Sequence, residues 1–271
     1  MFTDRIEIKT PAQLASMREA GMVVARTLES LRSAVVPGIT TADLDVLARE
    51  RLAAEGATSN FLGYHGFPAT ICVSVNEEIV HGIPGSRVIE AGDLVSMDFG
   101  AVVDGWHGDS AITVQVGEVR PEVAELNRVT EEAMWRGIAA ARVGGRIGDI
   151  SHAIESYVRS QGRYGITDGF TGHGIGSAMH QAPDVPNRGR RGKGPRIVAG
   201  MALAIEPMVT LGTSRAAVLE DDWTAVTTDG SWAAHHEHSM TVSDDGIWVL
   251  TALDGGAARL AALGAPCAAP A

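Results

Sequence analysis

The sequence predicts an α+β domain, a pseudo-two-fold duplicated antiparallel sheet with helices packed on one face. Three observations carry that expectation. Two helix-periodic segments precede a block of short β-rich runs, and the same plan returns about a hundred residues later. Three motif pairs share one offset: His65-Gly66 with His173-Gly174, Ala91-Gly92 with Ala199-Gly200, and Asp98 with Glu206 are each 108 residues apart. Each half supplies two helices and a set of strands, and neither could bury its sheet alone.

The first helix runs from about Pro11 to Ala34, where Leu14, Met17, Gly21, Val24, Leu28 and Leu31 recur at steps of three and four. Thr10, with Gln13 three residues on, reads as a capping box with proline at the first helical position. Pro37-Gly38 breaks the pattern, and a second helix spans about Thr41 to Gly56, burying Leu44, Leu47 and Leu52. In the second half Pro121 opens a helix carrying Val123, Leu126, Met134 and Ile138. Gly144-Gly145 ends it, and a shorter helix follows from about Gly148 to Gly162. After about Gly255 the chain is rich in Ala, Pro and Gly and is expected to fray.

With 22 basic and 33 acidic residues in 271, the formal charge is −11, which opposes binding to DNA through bulk charge. Two cysteines, Cys72 and Cys267, cannot make a disulfide framework, so a reducing compartment is favoured. No apolar run is long enough to span a membrane, and the N-terminus lacks a signal-peptide core. A cytoplasmic protein is expected.

Several chemistries are excluded by inspection. The chain has no G-x-S-x-G and no G-x-x-x-x-G-K-[ST], and His236-Glu237 fails as H-E-x-x-H because position 240 is Met. What remains is a set of acids in apolar strand contexts. Asp98 closes Leu94-Val95-Ser96-Met97, and Asp109 precedes Ala111-Ile112-Thr113-Val114. Asp104-Gly105 lies between them and suits a hairpin that puts both aspartates on one face. Glu206 follows Ala204-Ile205, and alternation puts His235, Glu237 and Ser239 on one face, with His236 and His238 on the other.

One such acid alone would read as a turn or surface group. Four in core strands need a counter-charge, because each unpaired buried carboxylate costs roughly several kcal/mol. No Lys or Arg lies within five residues of Asp98, Asp109 or Glu237. Two divalent cations would balance four carboxylates, and a histidine would complete an O/N ligand set. His173, flanked by glycines, is suited to reach a buried centre. His81 and His180 could support a ligand or donate protons.

Taken together, Asn76-Glu77, His81-Gly82-Ile83-Pro84, Ser96-Met97-Asp98-Phe99-Gly100, Gly108-Asp109, Thr171-Gly172-His173-Gly174-Ile175-Gly176, Ile205-Glu206-Pro207-Met208 and Glu237-His238-Ser239 resemble the type I methionine aminopeptidases. The resemblance spans roughly Pro11 to Leu250 and implies their pita-bread fold. It divides the chain into an N-terminal extension (1–10), a single catalytic domain (11–252, with repeats of about 11–120 and 121–250) and a flexible tail (253–271).

Carried over by residue, the resemblance implies that Asp109 and Glu237 bridge two divalent metals (Co, Mn, Fe or Zn). Asp98 would chelate one, and His173 and Glu206 the other. Glu206 doubles as the base for the metal-held water, while His81 and His180 contact substrate and tetrahedral intermediate. Tyr64, Phe67, Cys72, Phe170 and Trp223 correspond to the methionine side-chain pocket. Phe67 and Phe170 stand where some bacterial members carry tyrosine, leaving the pocket apolar. The implied reaction is metal-dependent release of N-terminal methionine from Met-X peptides or nascent chains, with a small second residue preferred. Metal-activated water would attack the first peptide carbonyl.

Two rivals are a prolidase or X-Pro aminopeptidase, whose extra N-terminal domain has no room here, and a binding protein that has lost its metals. The basic, glycine-rich stretch Arg188 to Arg196 reads either as a solvated loop or as a contact for ribosomal RNA.

Overall fold

The structure is a computed structural model that describes residues 6–269. In the first half, α1 (Pro11–Ala34) and α2 (Thr41–Ala54) are followed by β1 (Thr58–Ser59), β2 (Ile71–Val75), β3 (Glu78–Val80), β4 (Leu94–Val103) and β5 (Trp106–Gln115). The second half begins with α3 (Pro121–Ala140) and α4 (Ile147–Gln161). Strands β6 (Gly165–Ile166), β7 (Gly172–Gly174), β8 (Gln181–Val185), β9 (Ala202–Ile205) and β10 (Met208–Thr210) follow. Then come β11 (Ala216–Val218), β12 (Ala225–Thr227), β13 (Ala233–His235), β14 (Glu237–Val242), β15 (Ile247–Val249) and α5 (Ala257–Ala262).

Helix starts follow local chemistry. Thr10 and Gln13 form the expected capping box, with Gln13 Oε1 accepting from the Thr10 amide at 2.8 Å. Thr40 and Asp43 do the same for α2. The main sheet is antiparallel in the order β1-β4-β5-β14-β9-β7-β8, with β2 also on β4 and β15 on β14.

Its two faces differ by residue parity. Val95, Met97 and Phe99 of β4 join α1 and α2 in one apolar core around Val24, Leu28 and Leu44. Leu203 and Ile205 of β9 and Met240 and Val242 of β14 join Leu126, Ile138, Ile150 and Ile154 in a second. Truncating a fully buried leucine here, such as Leu126→Ala, should cost about 2–5 kcal/mol. The opposite parity is small or polar: Ser96, Asp98 and Gly100 on β4, Asp109, Ala111 and Thr113 on β5, Ala202 and Ala204 on β9. A sheet with one bulky face and one sparse face leaves room for a cavity on the sparse side.

Two sequence expectations are corrected. His65-Gly66 and His173-Gly174 are not structural equivalents, since His65 sits in a 3₁₀ turn at φ 46° while His173 lies in β7. The other two pairs do correspond: Gly92 and Gly200 both take positive φ before strands that begin 108 residues apart. The tail after Gly255 is packed as far as residue 268. Leu260 on α5 is fully buried, Arg259 pairs with Glu132 of α3 at 2.8 Å, and the Ala268 amide bonds to the Ile247 carbonyl. The alanine-rich composition hid one apolar anchor and an Asp254 side chain that caps the Gly256 and Ala258 amides. Residues 1–5 of the N-terminal extension and 270–271 of the tail lie outside the described residues.

Candidate active site

The site is built outward from the β4–β5 hairpin. Asp104 and Gly105, at φ 49° and 79°, form the two-residue turn, and ten residue pairs then run in unbroken register. Asp98 faces Ala111 and Asp109 faces Gly100, so the aspartates are diagonal neighbours on the sparse face. A side chain at Gly100 would collide with the Asn60 amide, which donates to the Gly108 carbonyl at 3.2 Å.

Strand β14 joins through only two register pairs, Glu237 with Ala111 and His238 with Ser110. Hydroxyls extend the seam. Ser239 Oγ donates to the Asp109 carbonyl (2.8 Å), Ser110 Oγ to the Glu237 carbonyl (2.5 Å) and Thr113 Oγ1 to the His235 carbonyl (2.6 Å). On the far side of β14, Ile205 pairs with His238, which leaves Glu206 beside Glu237 at the end of β9. His173 pairs with Ala204 and faces the same side. Five adjacent strands thus each contribute one group from within or at the end of the strand: Asp98, Asp109, Glu237, Glu206 and His173.

The distances are those of a ligand cluster. One ligating atom each from Asp109, His173 and Glu237 lie within 4.8 Å of one another, and His173 Nε2 is 3.3 Å from Glu206 Oε1. His173 Nδ1 donates to the Gly174 carbonyl at 3.0 Å, because a carbonyl can only accept. That fixes the tautomer and leaves the Nε2 lone pair facing the carboxylates.

Burial first, then mutual repulsion, pushes the Asp109, Glu206 and Glu237 carboxyls well above their ordinary range. Burial raises Asp98 to about 7. It also holds His173 and His235 neutral, at about 3 each. Among the described residues no Lys or Arg lines the cavity. Buried Asp98 Oδ1, Asp109 Oδ1, Glu237 Oε1 and His235 Nε2 have no hydrogen-bond partner. Hard oxygens with unshared lone pairs, plus neutral imidazole nitrogen, form a donor set that fits divalent cations.

The same cavity, about 170 Å³, has a second wall of different character. Phe61, Phe67, Cys72 and Met179 are buried in one apolar cluster with Tyr64 and Trp223 packed against it. Phe67 meets Trp223 edge-on at 5.0 Å. Cys72 pairs directly with Asp98 across β2 and β4, which brings this wall against the carboxylates. Burial and then the neighbouring carboxylates raise its thiol well above the usual value, so it is pocket wall and not a nucleophile.

His81 and His180 stand between the walls. His81 has φ 61°, and Gly82 behind it is pressed so close to the Val73 carbonyl that no side chain fits there. His180 Nδ1 lies 2.7 Å from the Tyr64 hydroxyl, and its ring meets that of His173 edge-on at 4.3 Å. Burial lowers His81 and brings His180 to about 4, so both are neutral near pH 7.

Phe170, expected in the pocket, does not line this cavity; it packs behind His81 with ring centroids 5.8 Å apart. The structure adds four residues to the site. Phe61, His65 and Met179 line the cavity, and His235 Nε2 comes within 3.9 Å of Glu206 Oε2. Strand alternation did place His235 on the face of Glu237, whereas nothing in the sequence marks Phe61 or Met179.

The model of metallopeptidase family M24 matches residues 15–244. A methionine aminopeptidase of Clostridium acetobutylicum is 49% identical over 247 residues, covering 91% of this chain and 98% of that protein. The crystal structure of methionine aminopeptidase from Thermotoga maritima superposes with a TM-score of 0.90 at 43% identity, covering 92% of this chain and all of that one. A more distant structure, the Xaa-Pro dipeptidase from Bacillus anthracis, gives 0.73 at 26% identity, and this chain covers 61% of its length. Fold and similarity agree: the chain belongs to metallopeptidase family M24 and, within it, to the type I methionine aminopeptidases with the pita-bread fold, which are metal-dependent exopeptidases.

Proposed function

We propose that the cavity removes N-terminal methionine from peptides and nascent chains that carry a small second residue. The observation that carries this reading is the meeting, within about 170 Å³, of a carboxylate–histidine wall and an aromatic, sulfur-lined wall. An unbranched thioether suits the second wall, since sulfur packs well against aromatic edges. The small volume of the cavity is what supports a preference for a small second residue.

Asp98, Asp109, His173, Glu206 and Glu237 would hold two divalent ions, of which Mn, Fe, Co and Zn all suit such donors. Bound there, the ions supply Lewis acidity and an activated water. Glu206 would serve as the base that accepts a proton from a water activated there; the Asn187 side-chain amide anchors its backbone carbonyl at 3.0 Å. His81 and His180, both neutral, act as hydrogen-bond partners of the scissile peptide carbonyl. Tyr64 steadies His180 through Nδ1, leaving Nε2 for the substrate. Phe67, Cys72 and Trp223 receive the methionine side chain, and Phe170 supports His81 from behind.

The work of this enzyme belongs in the cytoplasm, where nascent chains emerge. Among the described residues no helix is long and apolar enough to cross a membrane. Loop 188–196 would meet ribosomal RNA through its basic side chains.

The deciding assay compares Met-Ala-Ser with Ala-Pro peptides before chelation, after it and after metal is restored. Methionine release only with metal is expected; cleavage of Ala-Pro, or inertness in the presence of metal, would overturn the reading.

A further inference from the structure

The loop between β7 and β8 carries Met179 and His180, and it is gripped from outside by the N-terminal segment. Glu7 Oε1 accepts from Ser177 Oγ at 2.7 Å. Glu7 Oε2 accepts from the Ser177 amide at 3.1 Å and from Gln181 Nε2 at 3.0 Å. One carboxylate therefore ties together both flanks of Ala178-Met179-His180. Lys9 stands behind it, its side chain only 1% exposed, with Nζ 3.3 Å from Glu7 Oε2 and donating to the Glu7 carbonyl. The Lys9 amide bonds to the Gly200 carbonyl at 2.9 Å, which fixes the segment against the start of β9.

The fit is close. A Cβ on Gly176 would lie 2.2 Å from Glu7 Oε2 and 2.3 Å from Lys9 Cε, so only glycine admits the Glu7–Lys9 pair at this point. From the other side the His107 amide holds the Gly176 carbonyl at 3.0 Å. Inside the cavity the Tyr64 hydroxyl holds His180 itself. The loop is thus clamped on both sides, and the outer clamp lies 170 residues away in sequence. Lys9 adds its charge to the Ser177 and Gln181 hydrogen bonds that hold the Glu7 carboxylate ionised and in place.

We propose that Glu7, backed by Lys9, is a positioning residue for peptide cleavage and acts by setting the loop that presents His180. This rests on the reading of His180 as a substrate contact. Misplacement of a substrate-orienting group by a fraction of an ångström lowers turnover, and outlying supports of such groups matter by about ten- to a hundredfold.

The test is a double-mutant cycle on the metal-loaded enzyme with Met-Ala-Ser as substrate. Glu7→Ala should lower kcat by about tenfold in the otherwise unchanged enzyme. In a His180→Ala background the same change should cost less than about twofold, because the group it positions is gone. Metal content and melting temperature are measured alongside. Should Glu7→Ala leave the buried Lys9 charge too poorly compensated for the chain to fold, Ser177→Ala removes one grip without touching the ion pair and should show the same pattern at about threefold. Equal losses in both backgrounds, or no loss in the unchanged one, would overturn the proposal. Full activity of His180→Ala alone would instead refute the role given to His180, whatever Glu7 does.

Discussion

On one wall of the cavity four carboxyl groups and His173 stand on five adjacent strands, with orphaned oxygens and, among the described residues, no Lys or Arg lining the cavity. On the other, Phe61, Phe67, Cys72 and Met179 bury one another and need nothing from outside. The apolar wall stabilises the fold by the same burial that shapes it. The polar wall opposes folding until a cation arrives, because its charges repel and are stripped of water. Each wall therefore predicts its own signature when broken. Polar-wall changes should act on metal and turnover, and apolar-wall changes on substrate affinity.

The largest effect is expected from His173→Ala. Removing the one imidazole among the five groups should cut kcat by at least about a thousandfold and lower metal stoichiometry. Far-UV circular dichroism should not change, since His173 adds no apolar burial. Turnover within tenfold of the parent would contradict the part assigned to it.

Next in size is Trp223→Ala on the opposite wall. Trp223 closes the pocket over Phe67, and its loop is held by Asp221, which accepts from the Trp223 and Thr224 amides. KM for Met-Ala-Ser should rise by about ten- to a hundredfold with kcat falling far less, the pattern of lost side-chain binding. Metal content should stay the same. A fall in kcat at constant KM would erase the distinction between the walls.

The polar wall also makes a prediction about pH. In the metal-free protein Asp98, Asp109, Glu206 and Glu237 have raised folded pKa values, about 7 for Asp98. Groups shifted this way lend stability that is full below about pH 4 and is lost as pH rises through their folded values. Five histidines, His173, His180, His235, His236 and His238, are shifted down and act in the opposite sense below about pH 6.5. The two sets oppose each other in acid, so the net loss emerges above about pH 6.5. Metal-free protein should melt progressively lower from there toward pH 8 or 9, by on the order of a few kcal/mol in stability. Metal-loaded protein, with its ligands already deprotonated, should not follow. Parallel pH curves for the two forms would remove the cation from the energetics of this wall.

The two walls also differed in how far the sequence disclosed them. The Asp98–Asp109 hairpin was readable because Asp104-Gly105 names a two-residue turn and alternation then fixes the face. Glu206 and Glu237 were readable as acids without bases nearby. The apolar wall has no such period, for Phe61, Tyr64 and Phe67 come from an irregular turn and Trp223 from a loop 156 residues beyond Phe67. Residue type alone therefore could not separate Phe170, which backs His81, from Phe61, which lines the cavity. The C-terminal segment misled for a related reason: Leu260 and Leu263 are two leucines among alanines, too few for a periodic signal, and what docks them is an apolar core that includes α3, far earlier in the chain.

The smallest effect on peptide cleavage is expected at the basic loop, which belongs to neither wall. Its backbone is held on α4: the Glu155 carboxylate accepts from the Gly189 amide, Asp149 from the Gly192 amide, and the Gly148 amide bonds to the Lys193 carbonyl. Arg188 is occupied by Asp168. Arg190, Arg191, Lys193 and Arg196 are exposed on this fixed frame. Replacing those four by glutamine should leave kcat/KM on a free tripeptide within about twofold, because none of them lines the cavity. Co-sedimentation with ribosomes, if carried by phosphate contacts, should weaken steeply as salt rises from 50 to 200 mM in the parent and lose most of that slope in the variant. Salt-sensitive co-sedimentation that survives the replacement would locate ribosome contact elsewhere on an otherwise acidic surface.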